Sequence, residues 1–193
     1  MTGRTLLVFA HADEAEAFTD AGVPHLVTGV GKINATLALS EAILSARAAG
    51  GADALERIVV LGTAGAIGDE ARLDTVYQVT EVVQHDFSLP SPSIAPAGEV
   101  VVPDTAVIAT GDVFVQDDVQ RHAISALGAT LVDMESYAYA VVCERLGVPL
   151  QLFKAPSDFA DSSTTQDEWD GVVVSKSRQL LDFAGARLPD LIA

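Results

Sequence analysis

Short apolar runs alternate with longer amphipathic stretches along most of the chain. The short runs are rich in β-branched residues, which is typical of buried strands. They predict strands at residues 5–10, 26–28, 57–61, 75–83, 107–110, 130–132 and 150–155. The longer stretches have helical periodicity and predict helices at residues 33–49, 117–127, 136–146 and 167–188. Because strands alternate with helices, the pattern favours an α/β fold.

The ends of these elements carry their own signals. The helix predicted over 136–146 is followed by Gly147 and Pro149, which are typical of a helix stop. Residues 88–98 are rich in proline and serine and predict a loop. We expect a single domain over residues 1–193, with three α/β/α layers around a central mixed, largely parallel twisted sheet.

Composition and charge exclude several classes of function. A length of 193 residues with 49% apolar content fits one compact core. The net charge of −16 argues against nucleic-acid binding, which needs cations to neutralise phosphates. The first apolar run, at residues 6–10, is too short for a signal peptide, and no run reaches the ~20 apolar residues of a membrane span. We therefore expect a cytoplasmic protein with no membrane partner.

Cysteine and histidine usage gives no sign of a metal or redox site. The single cysteine, Cys143, lies in a helical pattern and is interpreted as a buried structural thiol. The four histidines lack the spacing of zinc ligands; they are His11, His25, His85 and His122. No metal and no cofactor are expected.

Two glycine clusters follow predicted strands. Residues 28–34 resemble a dinucleotide-binding turn, but Asn34 stands in place of the third glycine and no carboxylate ends the next strand at the right distance. A tight strand-to-helix turn is the better interpretation. Residues 62–68 allow the backbone to approach a ligand closely, but no basic residue follows until Arg72. An uncharged ligand is therefore favoured there.

Carboxylates mark the ends of two later strands. Asp133 and Glu135 follow the strand predicted at 130–132, and Asp158 follows the strand predicted at 150–155. Working residues of α/β proteins usually lie at such strand ends. These three acids are the first candidates for chemistry.

Five segments, taken in order, resemble the nucleoside phosphorylase and nucleosidase superfamily, and most closely its 5′-methylthioadenosine/S-adenosylhomocysteine nucleosidase branch. They are GVGKINA at 29–35, GTAG at 62–65, TGDVFV at 110–115, VDME at 132–135 and SDFAD at 157–161. The resemblance covers about residues 5–185. It implies hydrolysis of a purine nucleoside to the free base and sugar, without a cofactor. It also implies a homodimer in which the partner subunit helps to close the pocket for the 5′ group.

The resemblance assigns roles to the carboxylates. Asp158 matches the general acid that protonates purine N7, helped by Ser157, and its pKa must be raised for that role. Glu135 matches the residue that bonds the ribose hydroxyls, and Met134 would pack against the sugar. Asp133 is counted with the substrate-binding residues. Structural roles, such as core packing for Met134, remain open.

The general base is expected close to the first strand. Glu14 matches the family residue that activates the attacking water, although Asp13 and Glu16 remain alternatives in this register. Thr63 would lie near the water or the sugar. His11 stands where the branch usually has a methionine, so it could meet a polar 5′ substituent or be structural.

The base of the nucleoside would meet the segment after the strand at 107–110. Phe114 resembles the aromatic residue that stacks on the purine, and the backbone of Val115 would contact the base edge. A lone phenylalanine is also a common core residue. The sequence departs from the branch at Lys154, where relatives usually have arginine, at Pro156 and in a shortened region at 81–102.

Water is the expected nucleophile. Phosphorylases of this superfamily carry an arginine in the strand before the second glycine cluster, where this chain has IVVL at 58–61. The alternatives are a futalosine, aminofutalosine or general purine nucleosidase, a phosphorylase with an anion site rebuilt from Lys32, Lys154 or Arg72, and a non-catalytic nucleoside-binding protein.

Overall fold

The computed structural model describes residues 4–50, 55–68 and 70–192. Its strands are β1 (Thr5–Phe9), β2 (Leu26–Val27), β3 (Arg57–Ala66), β4 (Tyr77–Gln84), β5 (Thr105–Thr110), β6 (Leu131–Asp133) and β7 (Leu150–Asp158). Its helices are α1 (Glu16–Asp20), α2 (Lys32–Gly50), α3 (Asp118–Ser125), α4 (Ser136–Leu146) and α5 (Gln166–Arg187), with 3₁₀ turns at Asp13–Ala15 and Pro189–Leu191. The predicted alternation of strands and helices is confirmed.

All seven strands belong to one sheet in the order β2-β1-β3-β6-β5-β4-β7. An additional pairing joins β3 to β7, so five of the strands close into a ring. The β3/β6 and β4/β7 pairs are antiparallel, and the other pairs are parallel. The predicted α/β fold with a mixed, largely parallel sheet is therefore confirmed.

Helices cover the sheet on two sides. Successive strand residues point to opposite faces, so Val8 packs in the core beneath α2 and α4. Its neighbours Leu7 and Phe9 pack in a second core with Phe18 of α1 and Leu180 of α5. Full burial of each large apolar side chain contributes about 1.5–3 kcal/mol. Helices α2 and α4 therefore form one outer layer, and helices α1 and α5 form the other.

Strands β3 and β7 run further than the sequence predicts. The prediction ended them at residues 61 and 155, whereas they continue to Ala66 and Asp158. They pair in parallel over most of their length, with Gly62 opposite Lys154. A Cβ atom at Gly62 would lie 3.1 Å from Glu14 Oε1 and 3.2 Å from Lys154 Nζ. Because Gly62 has no side chain, charged side chains can approach the backbone of β3 at this point. Residues 62–66 continue the strand and do not form a loop.

Helix α4 has the predicted bounds. Gly147 ends it in the left-handed conformation, with φ of 62°, and the Val148 N–H donates to the Cys143 carbonyl. Cys143 is buried, and burial raises the pKa of its thiol to about 12. A structural thiol is consistent with both observations.

The predicted loop at 88–98 contains neither helix nor strand, apart from an isolated bridge between Ile94 and Val82. None of the helices within residues 4–50, 55–68 and 70–192 combines the length and apolar character that crossing a membrane would need.

Candidate active site

A cavity of about 220 Å³ lies where β1, β3, β6 and β7 reach the same region of the sheet. Loops that follow these strands complete its walls. The structure brings all ten residues singled out in the sequence to this cavity: His11, Glu14, Thr63, Phe114, Val115, Asp133, Met134, Glu135, Ser157 and Asp158. Their individual roles remain predictions.

Glu14 is buried in the 3₁₀ turn that follows β1. Its Oε1 accepts hydrogen bonds from Thr63 N at 2.6 Å and Thr63 Oγ1 at 2.7 Å, and its Oε2 accepts one from His11 N at 3.1 Å. Of the three candidate bases, Glu14 alone lines the cavity. Asp13 is half exposed and pairs with the His11 ring. The geometry thus favours Glu14 over Asp13 and Glu16.

Asp158 is the last residue of β7. Its Oδ2 accepts from Ser157 Oγ at 2.7 Å, and its Oδ1 accepts from Ala160 N at 2.8 Å and from Thr164 Oγ1 at 3.4 Å. Burial raises the pKa of Asp158, although these hydrogen bonds oppose the rise. A carboxyl group with a raised pKa holds a proton more readily, as a general acid requires.

Asp133, Glu135 and Lys154 form a buried charge cluster. Asp133 Oδ2 lies 2.9 Å from Lys154 Nζ, and Asp133 Oδ1 accepts from Thr110 Oγ1 at 2.7 Å. Burial alone lowers the pKa of Lys154, but the carboxylates of Asp133, Glu14 and Glu135 raise it overall. The lysine therefore stays charged and holds Asp133 in place.

The surroundings of Glu135 favour its neutral form. Burial, followed by the charge of Asp133, raises the pKa of Glu135 to about 8, while Lys154 and the Gly31 N–H oppose the rise. Its Oε1 accepts from Gly31 N at 2.8 Å. The glycine turn at 28–34, in which Gly31 has a φ of 92°, thus directs a backbone donor at this carboxyl group.

Phe114 and Val115 follow β5 in a segment tied to the same glycine turn. Asp112 Oδ1 accepts from Lys32 N at 2.8 Å, and Asp86 accepts from Asp112 N at 2.8 Å and from Lys32 Nζ at 2.6 Å. These bonds hold the segment beside the cavity. Lys32 is thereby paired with Asp86 and does not line the cavity.

Two further residues, Gln166 and Trp169, line the cavity from α5 and were not predicted from the sequence. Trp169 Nε1 donates to Thr63 Oγ1 at 3.2 Å, and its ring meets the His11 ring edge-on with centroids 5.3 Å apart. The pattern Thr165-x-x-Glu168 is a capping box and could have placed the start of α5. That motif does not indicate which side of the helix faces the cavity.

Cations are scarce around this cavity. In the described ranges, neither arginine nor lysine lines it. The described residues also contain no cluster of three or more histidine, cysteine, aspartate or glutamate side chains suited to hold a metal ion.

The chain is similar to known proteins in sequence and in fold. The model of the phosphorylase superfamily matches residues 97–185. An aminodeoxyfutalosine nucleosidase of Helicobacter pylori strain J99 is 27% identical over 160 residues, covering 68% of this chain and 65% of the relative. A 5′-methylthioadenosine/S-adenosylhomocysteine nucleosidase of a Marinomonas species is 28% identical over 176 residues, covering 77% and 73%.

The match to the first of these relatives spans about 65% of its length. Solved structures match more completely. An H. pylori MTAN mutant with 5′-methylthioadenosine in the active site has a TM-score of 0.81 and 19% identity, covering 98% of this chain and 100% of the other. The futalosine hydrolase of the same organism has a TM-score of 0.82 and 19% identity, covering 98% and 99%. At this level of identity the likeness establishes the fold.

Proposed function

We propose that this chain is a member of the phosphorylase superfamily and acts as a purine nucleoside N-ribosyl hydrolase. Its substrates would be nucleosides of the 5′-methylthioadenosine and S-adenosylhomocysteine type, cleaved to adenine and the free sugar. The observation that carries the proposal is that Glu14, Glu135 and Asp158 line one cavity, with Glu14 and Glu135 buried and Asp158 half-buried. The binding of a nucleoside alone does not require three carboxyl groups.

The two reacting carboxyl groups lie at different points along β3. Glu14 Oε1 is 3.1 Å from the position of a Cβ at Gly62, and Asp158 Oδ1 is 3.2 Å from that of a Cβ at Gly65. Three residues of strand span about 10 Å. Because both groups also line one cavity, a ribose with its base can lie between the acid and the base.

The mechanism follows from these positions. Asp158 donates its proton to purine N7, which makes the base a better leaving group, and Ser157 orients the carboxyl group. The C1′–N9 bond breaks as positive charge grows on the sugar, and Glu135 bonds the ribose hydroxyls. Glu14 removes a proton from water as the water oxygen bonds to C1′.

Several residues would hold the substrate. We propose that Phe114 stacks on the purine, that the Val115 backbone meets its edge and that Met134 packs on the sugar. Thr63 would orient Glu14 and the water. Asp133 would act by positioning, because its oxygens already accept from Thr110, Ser136 and Lys154.

The cavity lining favours water over phosphate as the nucleophile. A phosphate co-substrate needs cationic or well-placed backbone donors. Within the described residues no arginine or lysine reaches the lining, and Lys154 is committed to Asp133. Hydrolysis is accordingly preferred to phosphorolysis.

The 5′ group of the substrate has two candidate classes. The relatives include both methylthioadenosine/adenosylhomocysteine nucleosidases and aminodeoxyfutalosine nucleosidases. The His11 ring lines the cavity and brings a nitrogen there that can hydrogen-bond a polar 5′ group. A futalosine-type nucleosidase is therefore the second candidate.

We also propose a homodimer. Helix α2 exposes an apolar stripe of Ile33, Leu37 and Leu44, which are 77%, 70% and 54% exposed. Val30 and Val113 line the cavity and are themselves exposed, so the cavity opens beside this stripe. A second copy would cover both. The single-domain organisation and the cytoplasmic location stay predictions.

The test is chromatographic detection of free base. Purified protein is incubated with methylthioadenosine, adenosylhomocysteine, adenosine, inosine and futalosine, with and without phosphate. Phosphate-independent release identifies a nucleosidase and names its 5′ group. Release that requires phosphate and yields ribose 1-phosphate contradicts the proposal, as does no release from any of them.

A further inference from the structure

Trp169 connects α5 to the candidate general base. Its indole Nε1 donates to Thr63 Oγ1 at 3.2 Å, and Thr63 Oγ1 lies 2.7 Å from Glu14 Oε1. Three side chains from α5, β3 and the turn after β1 thus form one hydrogen-bonded row. The row ends on the carboxylate proposed to activate water.

The chemistry of the three groups fixes the direction of these bonds. An indole N–H can only donate, so the Thr63 hydroxyl must accept from Trp169. The hydroxyl has a single proton, and a carboxylate can only accept, so that proton is directed to Glu14. Trp169 therefore favours the one hydroxyl rotamer that bonds the base.

This arrangement leaves one oxygen of Glu14 available. Oε1 accepts two bonds, from the Thr63 amide and from the Thr63 hydroxyl. Oε2 accepts one bond, from His11 N, among the described residues. An attacking water would then bond Oε2, while Oε1 is held by Thr63.

Helix α5 is anchored at two points, so it can hold Trp169 in a fixed position relative to Thr63 and Glu14. Its N-terminus is closed by the capping box of Thr165 and Glu168. Further along, the buried Ser177 Oγ accepts from Ala17 N at 3.0 Å, in the segment that directly follows Glu14. Helix α5 thus bonds the main chain three residues after Glu14 and, through Thr63, is linked to the Glu14 side chain.

We propose that Trp169 is a positioning residue for Glu14, acting through the hydroxyl of Thr63. The inference rests on the proposed hydrolase function, because it assigns Trp169 to the step that activates water. It differs from a role as a wall against the substrate, which would act on substrate binding.

Kinetics separate the two roles. Trp169→Phe keeps an aromatic ring beside His11 and removes the N–H, so kcat should fall about 3- to 10-fold while KM changes less than about 2-fold. In a Thr63→Val background the same change should have no further effect, because the hydroxyl is gone. In a Thr63→Ser background, Trp169→Phe should again lower kcat, because serine keeps the hydroxyl. A raised KM, or an equal loss of kcat in the Thr63→Val background, overturns the proposal.

A second measurement does not depend on activity. Trp169 is the single tryptophan of the chain, so its indole gives one cross-peak in a ¹⁵N–¹H spectrum. Thr63→Val should move that peak upfield and speed its exchange with solvent, and Thr63→Ser should not. An indole signal insensitive to Thr63→Val overturns the positioning role. A wild-type protein with the expected indole signal that releases no base from any nucleoside instead refutes the proposed function.

Discussion

Asp158 combines burial with three hydrogen-bond donors, and this balance determines what it can do. Burial raises its pKa, while Ser157, Ala160 and Thr164 stabilise the ionised form left after proton transfer. Asp158→Asn keeps the volume and removes the acid, so kcat should fall about 10²- to 10⁴-fold. Binding should be largely kept, measured through the fluorescence of Trp169 in the cavity wall. Near-normal base release by this variant would refute the assignment.

Glu14 and Glu16 provide a matched pair, since they are two residues apart and only Glu14 lines the cavity. Glu14→Gln should abolish hydrolysis, because an amide cannot take a proton from water, with a loss of about 10²-fold or more. Glu16→Gln should leave base release within about 2-fold of the wild-type rate. The opposite result would show that the base lies on α1.

Glu135 should make stability depend on pH. Its pKa in the folded protein is raised to about 8 from 4.5, so between these values the folded state keeps a proton that the unfolded state has lost. Stability contributed by this group is therefore complete below pH 4.5, is lost as pH rises to 8, and stays lost above that. Glu135 faces Asp133, Lys154, Glu14 and the Gly31 N–H.

Glu135→Gln removes the ionisation, so the variant should gain urea stability over wild type at about pH 9 and show little difference at about pH 4.5. Glu41→Gln, at an exposed site on α2, is the control for loss of one charge. A Glu135→Gln difference that does not change with pH would contradict the raised pKa.

Much of the cavity lining could be predicted from the residues themselves. Asp158, Glu135 and Glu14 were predicted because strand ends and family motifs mark them. The register of Glu14 could not be settled, since three nearby acids fit the pattern and only burial separates them. Trp169 has no local signal at all, because its partner Thr63 is 106 residues away in sequence.

At the scale of the element, β3 is the organising strand of the site. A Cβ at Gly65 would lie 2.8 Å from Ala160 Cβ and 3.2 Å from Asp158 Oδ1. Gly65→Ala should therefore displace the acid and lower activity at least about 10-fold, with a loss of about 1–3 kcal/mol in stability. Denaturant unfolding and base release measure the two effects.

The control for Gly65→Ala is a glycine with free space around it. Gly171 in α5 has nothing within 4 Å of the position that an added Cβ would take, and alanine is favoured over glycine in helices by about 1 kcal/mol. Gly171→Ala should raise stability and keep activity. Equal tolerance of both substitutions would contradict the close packing inferred at Gly65.

The strand lengths show why elements were only partly predictable. Helix α4 could be bounded from its own residues, because Gly147 and Pro149 are local stop signals. The ends of β3 and β7 could not, because each is extended by pairing with the other, and glycine and proline within them imitate loop signals. Pairing between distant segments overrode local propensity there.

At the scale of the whole molecule, a single partner would cover both the exposed stripe on α2 and the open side of the cavity. Both are apolar, and the stripe begins three residues after Val30 in the cavity wall. A second copy that covers the stripe would also narrow the opening. Assembly and substrate affinity should then be linked.

Ile33→Glu tests this link directly. Burial of each such side chain contributes about 1.5–3 kcal/mol, so a buried charge there should weaken dimerisation at least about 10-fold. Sedimentation should show a dimer for wild type and a monomer for the variant at the same concentration. Val119→Glu, at a site 79% exposed on α3, is the control and should stay dimeric.

Because the monomer leaves the cavity open at Val30 and Val113, the KM of Ile33→Glu should rise more than its kcat falls. A monomeric variant with unchanged KM would show that the cavity is complete within one chain.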